Sequence, residues 1–276
     1  MTATPVLPLS GWRVLVPRPT GGHSPAVVAL AAVGAEAVVV PLIETVPPED
    51  PTELDDALLA LESGWFGWLV VTSAATVPVL VDRAQESAGS LTQLLADGQV
   101  RVAAVGPGTA RALREVGIEP DLLPLGRSTS RGLVEAWPPL TEPARVLFPR
   151  GDLAAATITD GLRNLGWDVT DVVAYRTVPA APPPVEVREA WTDGTIRAAL
   201  LTSASTVREL AARLGTPPTT TLMIGIGPST AAEAARLGLP LAGVATEQTM
   251  LGMVDALARA VATVLPAQIP SPEEEL

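Results

Sequence analysis

The chain has 276 residues, a net charge of −12 at pH 7 and 47% hydrophobic residues, so it is long enough for one large or two ordinary globular domains. It contains no cysteine, no lysine and a single histidine, which excludes thiol nucleophiles, disulfides, Schiff-base chemistry, a Walker A lysine and metal sites rich in cysteine or histidine. The acidic balance argues against general nucleic-acid binding, because that requires basic side chains to neutralise phosphates.

The predicted elements alternate between strand and helix along the chain. The strands are short apolar runs that end abruptly, in chain order VLVP, VVVPL, WLVVTS, RVAAVG and DLLPL. The helices between them include SPAVVALAAVG and TARALREVG, each closed by a glycine at the position after its last turn. This alternation predicts an α/β fold with open parallel sheets.

Several blocks of the first half recur in the same order in the second half. The pairs are RVLVPR at 13–18 with RVLFPR at 145–150, VVTSAATV at 70–77 with LLTSASTV at 200–207, and VGPGTARALREVG at 105–117 with IGPSTAAEAARLG at 226–238. Two copies indicate a two-lobed protein, since a solenoid needs at least three repeats. The chain either changes lobe once near Pro143 or crosses between lobes at 38–47 and again at 172–179; the residues alone leave both readings open.

Hydroxyl residues follow the predicted strands in both copies. Thr109 and Thr230 lie in the Gly-Pro-x-Thr turns that open a helix, and Ser73 and Ser203 lie in the TSAATV and TSASTV turns. The first turn of a helix offers free backbone N–H groups to anions, and ligands of open parallel sheets bind beyond the carboxyl ends of the strands. These residues are therefore candidate anion donors, with plain helix capping as the alternative for each.

Three further residues are singled out by their positions. Arg18 and Arg150 follow the first strand of each copy and could bind carboxylates through two N–H groups, or could be surface arginines or form ion pairs between lobes. His23 lies in the polar turn GGHSP and is predicted to face solvent.

The ordered motifs RVLVPRP, VTSAATV, VGPGTARAL, RVLFPRGDLA, VVAYRTVP, LTSASTV and IGPSTAAEA resemble those of the uroporphyrinogen-III synthase family over roughly residues 12–260. The resemblance implies two flavodoxin-like, doubly wound parallel-sheet domains joined by a two-stranded linker. The first would comprise residues 1–43 and 176–264 and the second residues 46–173, with 265–276 as a flexible tail. It thereby favours the reading in which the chain crosses between lobes twice.

The resemblance also implies an activity, which is cyclisation of the linear tetrapyrrole hydroxymethylbilane to uroporphyrinogen III with loss of water and inversion of the last ring. No cofactor or metal is implied. Tyr175, the only tyrosine, matches the family's VVAYRT motif and would donate to the departing hydroxide; packing of a lone tyrosine is its alternative reading. The substrate carries eight carboxylates, and the implied binding residues are Arg18, Ser73, Thr109, Ser203 and Thr230, from two lobes that would face one cleft.

The remaining predictions concern location and partners. The first residues, MTATPVLPLSGW, lack the features of a secretion signal and no long apolar run follows, so we expect a cytoplasmic monomer that binds neither membrane nor nucleic acid. Its expected partners are hydroxymethylbilane and, as pathway neighbour, hydroxymethylbilane synthase. The alternative is a non-catalytic module of the same fold that senses a tetrapyrrole or another polyanion within a regulator.

Overall fold

A computed structural model describes residues 7–18, 25–87, 89–126, 128–139 and 144–264. The predicted tail at 265–276 and His23 lie outside the described residues. The chain divides into two compact units, of which unit 1 is Met1–Glu44 with Pro179–Leu276 and unit 2 is Thr45–Val178.

Strands and helices alternate through most of both units. The strands are β1 (Arg13–Val16), β2 (Glu36–Val39), β3 (Ile43–Val46), β4 (Trp68–Val71), β5 (Arg101–Ala104), β6 (Arg145–Gly151), β7 (Asp168–Pro179), β8 (Ile196–Leu201), β9 (Leu222–Gly225) and β10 (Gly243–Val244). The helices are α1 (Pro25–Ala32), α2 (Thr52–Glu62), α3 (Thr76–Ser87), α4 (Leu91–Asp97), α5 (Pro107–Glu115), α6 (Ser130–Glu135), α7 (Thr157–Asn164), α8 (Val185–Thr192), α9 (Ala204–Leu214), α10 (Pro228–Arg236) and α11 (Met250–Val264).

Each unit contains a five-stranded sheet. The order is β10-β9-β8-β1-β2 in unit 1 and β3-β7-β6-β4-β5 in unit 2. The pairs β1–β2, β1–β8, β8–β9 and β9–β10 are parallel, as are β4–β5, β4–β6 and β6–β7. Apolar residues on the strands are buried against helices in two core clusters per unit, which explains why these strands are continuous apolar runs. The predicted α/β class with parallel sheets is confirmed.

The glycines predicted to end helices are confirmed at α1 and α5, whereas one predicted strand is not formed. Gly34 and Gly117 follow α1 and α5 with φ of +86° and +80°, the left-handed conformation that ends a helix and that glycine adopts without strain. The strand predicted at DLLPL is reduced to one bridge between Ala103 and Leu122. Pro124 has no N–H for a sheet ladder, which accounts for this difference.

Three tryptophans form a buried cluster in unit 2. The rings of Trp68 and Trp137 lie 4.9 Å apart, and those of Trp137 and Trp167 lie 5.9 Å apart at an angle of 88°. The Arg101 guanidinium lies 4.4 Å above the Trp68 ring. Such aromatic pairs contribute about 0.5–1.5 kcal/mol beyond their buried area, so the cluster fixes the packing of helices α6 and α7 on this sheet.

Candidate functional site

The predicted donors of unit 1 lie at one edge of its sheet. Arg18 follows β1, Ser203 follows β8 and Thr230 lies shortly after β9. These three strands are parallel neighbours in the order β9-β8-β1, so their carboxyl ends lie side by side. We call this edge, with Arg18, Ser203 and Thr230, rim 1.

Unit 2 has an equivalent edge. Ser73 follows β4 and Thr109 lies shortly after β5, while Gly151 ends β6 and is paired with Tyr175 of β7. The order β7-β6-β4-β5 places the four positions on adjacent strands. We call this edge, with Ser73, Thr109, Gly151 and Tyr175, rim 2.

The two Gly-Pro-x-Thr turns begin their helices in the same unusual way. The residue before α5 is Gly106 and the residue before α10 is Gly227; both are extended, with no side-chain hydrogen bond to the first turn. Pro107 and Pro228 occupy the first helical position, so each threonine is the third residue of its helix. The alternative that threonine caps the helix is therefore wrong, because glycine occupies the N-cap position in both helices and has no side chain to accept from the first-turn N–H groups.

The two threonines are buried in these first turns. Thr109 is 6% exposed and Thr230 is 0% exposed. The Thr230 hydroxyl has no hydrogen-bond partner among the described residues. A buried hydroxyl without a partner is costly, and it is commonly satisfied by water or a ligand. Thr230 is therefore a candidate donor whose hydroxyl is not used by any described residue.

Glu233 gives α10 a pH-dependent ion pair. Its carboxylate accepts hydrogen bonds from Arg236 at 2.8 and 2.9 Å and from Arg208 at 3.3 Å. These bonds, that from Arg236 foremost, lower the pKa of Glu233 from 4.5 to about 2. Because the pKa is depressed in the folded state, the stabilisation is present above pH 4.5 and is lost as the pH falls through about 2.

We therefore expect Glu233→Gln to lower the melting temperature at pH 7, with the difference from the unsubstituted chain closing as the pH falls towards 2. Thermal unfolding followed by circular dichroism from pH 7 to pH 2 measures it. The control is Glu135→Gln, since Glu135 is exposed on α6. A difference that is constant over this range would contradict the ion-pair explanation.

Ser203 is a helix cap. Its hydroxyl accepts from the Thr206 N–H at 3.1 Å, and the Thr206 hydroxyl accepts from the Ser203 N–H at 3.0 Å, which completes a reciprocal capping box at the start of α9. The alternative reading of Ser203 as a cap thus describes its side chain. Its place in rim 1 nevertheless keeps the N–H groups of the first α9 turn at the edge of the sheet.

We expect Ser203→Ala to destabilise unit 1 by about 1 kcal/mol, because loss of a serine cap leaves a first-turn N–H without its acceptor. Urea unfolding of the two proteins measures the difference. Ser205→Ala is the matched control, since Ser205 lies in the same turn and does not take part in the box. Equal stability of Ser203→Ala and the unsubstituted chain would show that the box contributes nothing.

The Tyr175 side chain is buried and lies close to Gly151. A Cβ atom on Gly151 would lie 2.8 Å from the Cε2 and Cζ ring atoms and 3.0 Å from the hydroxyl oxygen of Tyr175. The Asp152 N–H donates to the Tyr175 carbonyl at 3.0 Å, and the Thr177 N–H donates to the Asp152 carboxylate at 2.9 Å. Sequence reasoning missed Gly151 and Asp152, although both stand in the motif RVLFPRGDLA.

The arginines at the ends of the first strands differ in their surroundings. The Arg150 Nε donates to the Asp171 carboxylate at 2.7 Å, so the ion pair of Arg150 is formed inside unit 2. Arg18 is half-buried beyond β1 in rim 1, with its N–H donating to the Val16 carbonyl at 3.0 Å. Arg18 therefore lies at the same sheet edge as the predicted donors Ser203 and Thr230 of rim 1.

Two kinds of feature are absent from the part of the chain that the structure describes. No cluster of three or more histidine, cysteine, aspartate or glutamate side chains could hold a metal ion there. Within the same residues, no helix is both long and apolar enough to cross a bilayer.

Comparison with known proteins gives the relationships of the chain. The family model described as uroporphyrinogen-III synthase HemD matches residues 24–255. The uroporphyrinogen-III synthase of Synechococcus elongatus is 31% identical over 204 residues, which are 73% of this chain and 74% of that protein. The porphyrin biosynthesis protein HemD of Ruminiclostridium josui is 30% identical over 254 residues, 91% of this chain but only 49% of that protein.

The fold is shared with a crystal structure of a mutant uroporphyrinogen III synthase from the extremely thermophilic bacterium Thermus thermophilus. The TM-score is 0.61 at 20% identity, and the match covers 91% of this chain and 99% of that one. The match to the family model extends across residues of both units. The chain belongs to the uroporphyrinogen-III synthase family.

Proposed function

We infer that the chain is a uroporphyrinogen-III synthase, a lyase of tetrapyrrole biosynthesis that cyclises hydroxymethylbilane to uroporphyrinogen III with loss of water. The observation that carries this function is the family match over residues 24–255. That range includes every residue of rims 1 and 2 except Arg18.

We propose that the rims bind the carboxylates of the substrate. Gly106 and Gly227 leave the first turns of α5 and α10 without a side-chain cap, so the N–H groups there are available to an anion. Local donors of this kind let a chain of net charge −12 bind a polyanion.

The side chains of the rims would add to these backbone donors. Thr109, Thr230 and Ser73 would contribute hydroxyl groups, and Arg18 would contribute a guanidinium. Ser203 would contribute only as the cap that holds the start of α9, because its hydroxyl and its N–H are both used in the capping box.

Tyr175 is proposed as the catalytic residue. The phenol would donate its proton or a hydrogen bond to the hydroxyl group that leaves the first ring, which departs as water and leaves an azafulvene. That carbon then attacks the substituted carbon of the last ring, and fragmentation and reclosure of the spiro intermediate invert the ring. The support for this role is the position of Tyr175 at rim 2 and its close contact with Gly151.

The main task of the protein in this reaction is to hold the substrate in one conformation. Hydroxymethylbilane closes spontaneously to the symmetric isomer I, so formation of isomer III requires the ends of the chain to be held in a defined geometry. We propose that this requires no cofactor. We also propose that the protein acts as a monomer in the cytoplasm.

The ratio of isomer III to isomer I tests the function. Hydroxymethylbilane is generated by added hydroxymethylbilane synthase, and the products are oxidised and separated by chromatography. Isomer III in excess over isomer I supports the enzyme. A folded protein that yields isomer I at the spontaneous rate would overturn it and would favour a binding module without catalysis.

A further inference from the structure

The repeated motif TSAATV and TSASTV forms two different turns. In unit 1 the turn Ser203–Thr206 is closed, because the Ser203 N–H donates to the Thr206 hydroxyl at 3.0 Å and that hydroxyl donates to the Ser203 carbonyl at 2.7 Å. Helix α9 consequently begins directly after Ser203, at Ala204.

In unit 2 the equivalent turn, Ser73–Thr76, is open. The Ala75 N–H, rather than the Thr76 N–H, donates to the Ser73 hydroxyl, at 3.2 Å. The Thr76 hydroxyl has no hydrogen-bond partner among the described residues, although Thr76 is 0% exposed. Within the same described residues the Ser73 N–H also makes no hydrogen bond. The two groups that close the turn in unit 1 are thus both unused in unit 2.

The sequence explains why the second turn stays open. Position 78 is proline, whereas the matching position in unit 1 is Arg208. Proline has no N–H to donate to the Ala74 carbonyl, and its ring would collide with that carbonyl in an α-helix. The Ala74 carbonyl instead accepts from Val77 at 3.3 Å and the Ser73 carbonyl from Thr76 at 3.1 Å, so the helix begins at Thr76.

We propose that the open turn Ser73–Thr76 binds a carboxylate of the substrate, with Thr76 as a further binding residue, and that the closed turn Ser203–Thr206 is only a cap. The Ser73 N–H and the Thr76 hydroxyl are the donors, at the start of a helix of 12 residues. Pro78 keeps them available, because an α-helical start would consume both in a capping box. The identity of the ligand rests on the proposed function, whereas the open geometry of the turn is independent of it.

Three substitutions in unit 2 test the proposal. Thr76→Val should raise the KM for hydroxymethylbilane about tenfold with a smaller change in kcat, since it removes one hydrogen bond to a charged group. Thr76→Ser keeps the hydroxyl and should retain the KM of the unsubstituted chain. Pro78→Ala restores the missing N–H and should raise both the melting temperature and the KM, because the turn then closes as in unit 1.

The matched control is Thr206→Val, which should lower the melting temperature and leave the KM unchanged. Binding of uroporphyrin III, measured by quenching of tryptophan fluorescence, gives a readout that does not depend on catalysis, and Thr76→Val should weaken it about tenfold. An unchanged KM and an unchanged uroporphyrin affinity in folded Thr76→Val would overturn the proposal. Failure of the unsubstituted chain to form isomer III would instead overturn the function alone.

Discussion

Replacing Gly151 with alanine should slow the formation of isomer III by about a hundredfold, because misplacement of a catalytic group by about 1 Å has an effect of this size. The new Cβ would lie 2.8–3.0 Å from three atoms of the Tyr175 side chain, closer than non-bonded atoms come. Gly151 is held in the ladder between β6 and β7, so the tyrosine ring has to move. The measurement is kcat in the assay coupled to hydroxymethylbilane synthase.

A double-mutant cycle separates this effect from general damage. Tyr175→Phe removes the hydroxyl and should lower kcat by at least about a hundredfold while the melting temperature is retained. If Gly151 acts only by positioning Tyr175, the double variant should be little slower than the slower single variant. Gly67→Ala, whose Cβ would lie 3.9 Å from the nearest atom, is the control for adding a methyl group beside this sheet. Full activity of Gly151→Ala, or losses that multiply, would contradict the positioning role.

Cutting the chain at residue 143 should give two fragments that do not fold when expressed alone. Fragment 1–143 would contain β4 and β5 without their neighbour β6, and β1 and β2 without their neighbour β8. Both core clusters would be divided between the fragments, since Leu69 would be separated from Leu147 in unit 2 and Leu15 from Ala199 in unit 1. Far-ultraviolet circular dichroism and thermal unfolding of each fragment measure the outcome.

The contiguous fragment 45–178 is the control for this experiment. It contains all of unit 2 as the contacts define it, including the strand order β7-β6-β4-β5, and should unfold cooperatively. Two stable monomeric halves from the cut at 143 would show that the chain is organised as two consecutive domains instead.

Local features of the fold could be predicted because they depend on neighbouring residues. Three such features are each determined by residues within a few positions of one another. They are the alternation of apolar strands and helices, the glycines that end α1 and α5, and the repeated helix starts. The order of strands in each sheet depends on pairing between distant segments. The residues alone therefore left open whether β6 lies beside β4 of the same unit, which the sheet topology shows.

The site could be predicted in outline and not in its hydrogen bonds. The motifs placed Ser73, Thr109, Ser203 and Thr230 after strands, as the structure shows. The alternative reading of threonine as the cap was wrong, because glycine occupies that position in both helices. Ser73 and Ser203 have the same sequence neighbours on either side but form different hydrogen bonds. The difference follows from Pro78, which lies five residues after Ser73 and has no counterpart after Ser203.

The cluster of Trp68, Trp137 and Trp167 gives unit 2 an optical signature of its own. Indole rings 4.9 and 5.9 Å apart are close enough for their electronic transitions to couple, and no other close pair of tryptophan rings occurs among the described residues. The coupled circular dichroism band would vanish when unit 2 loses its packing, whatever the state of unit 1. The melting of one unit can thus be recorded inside the intact chain without any attached label.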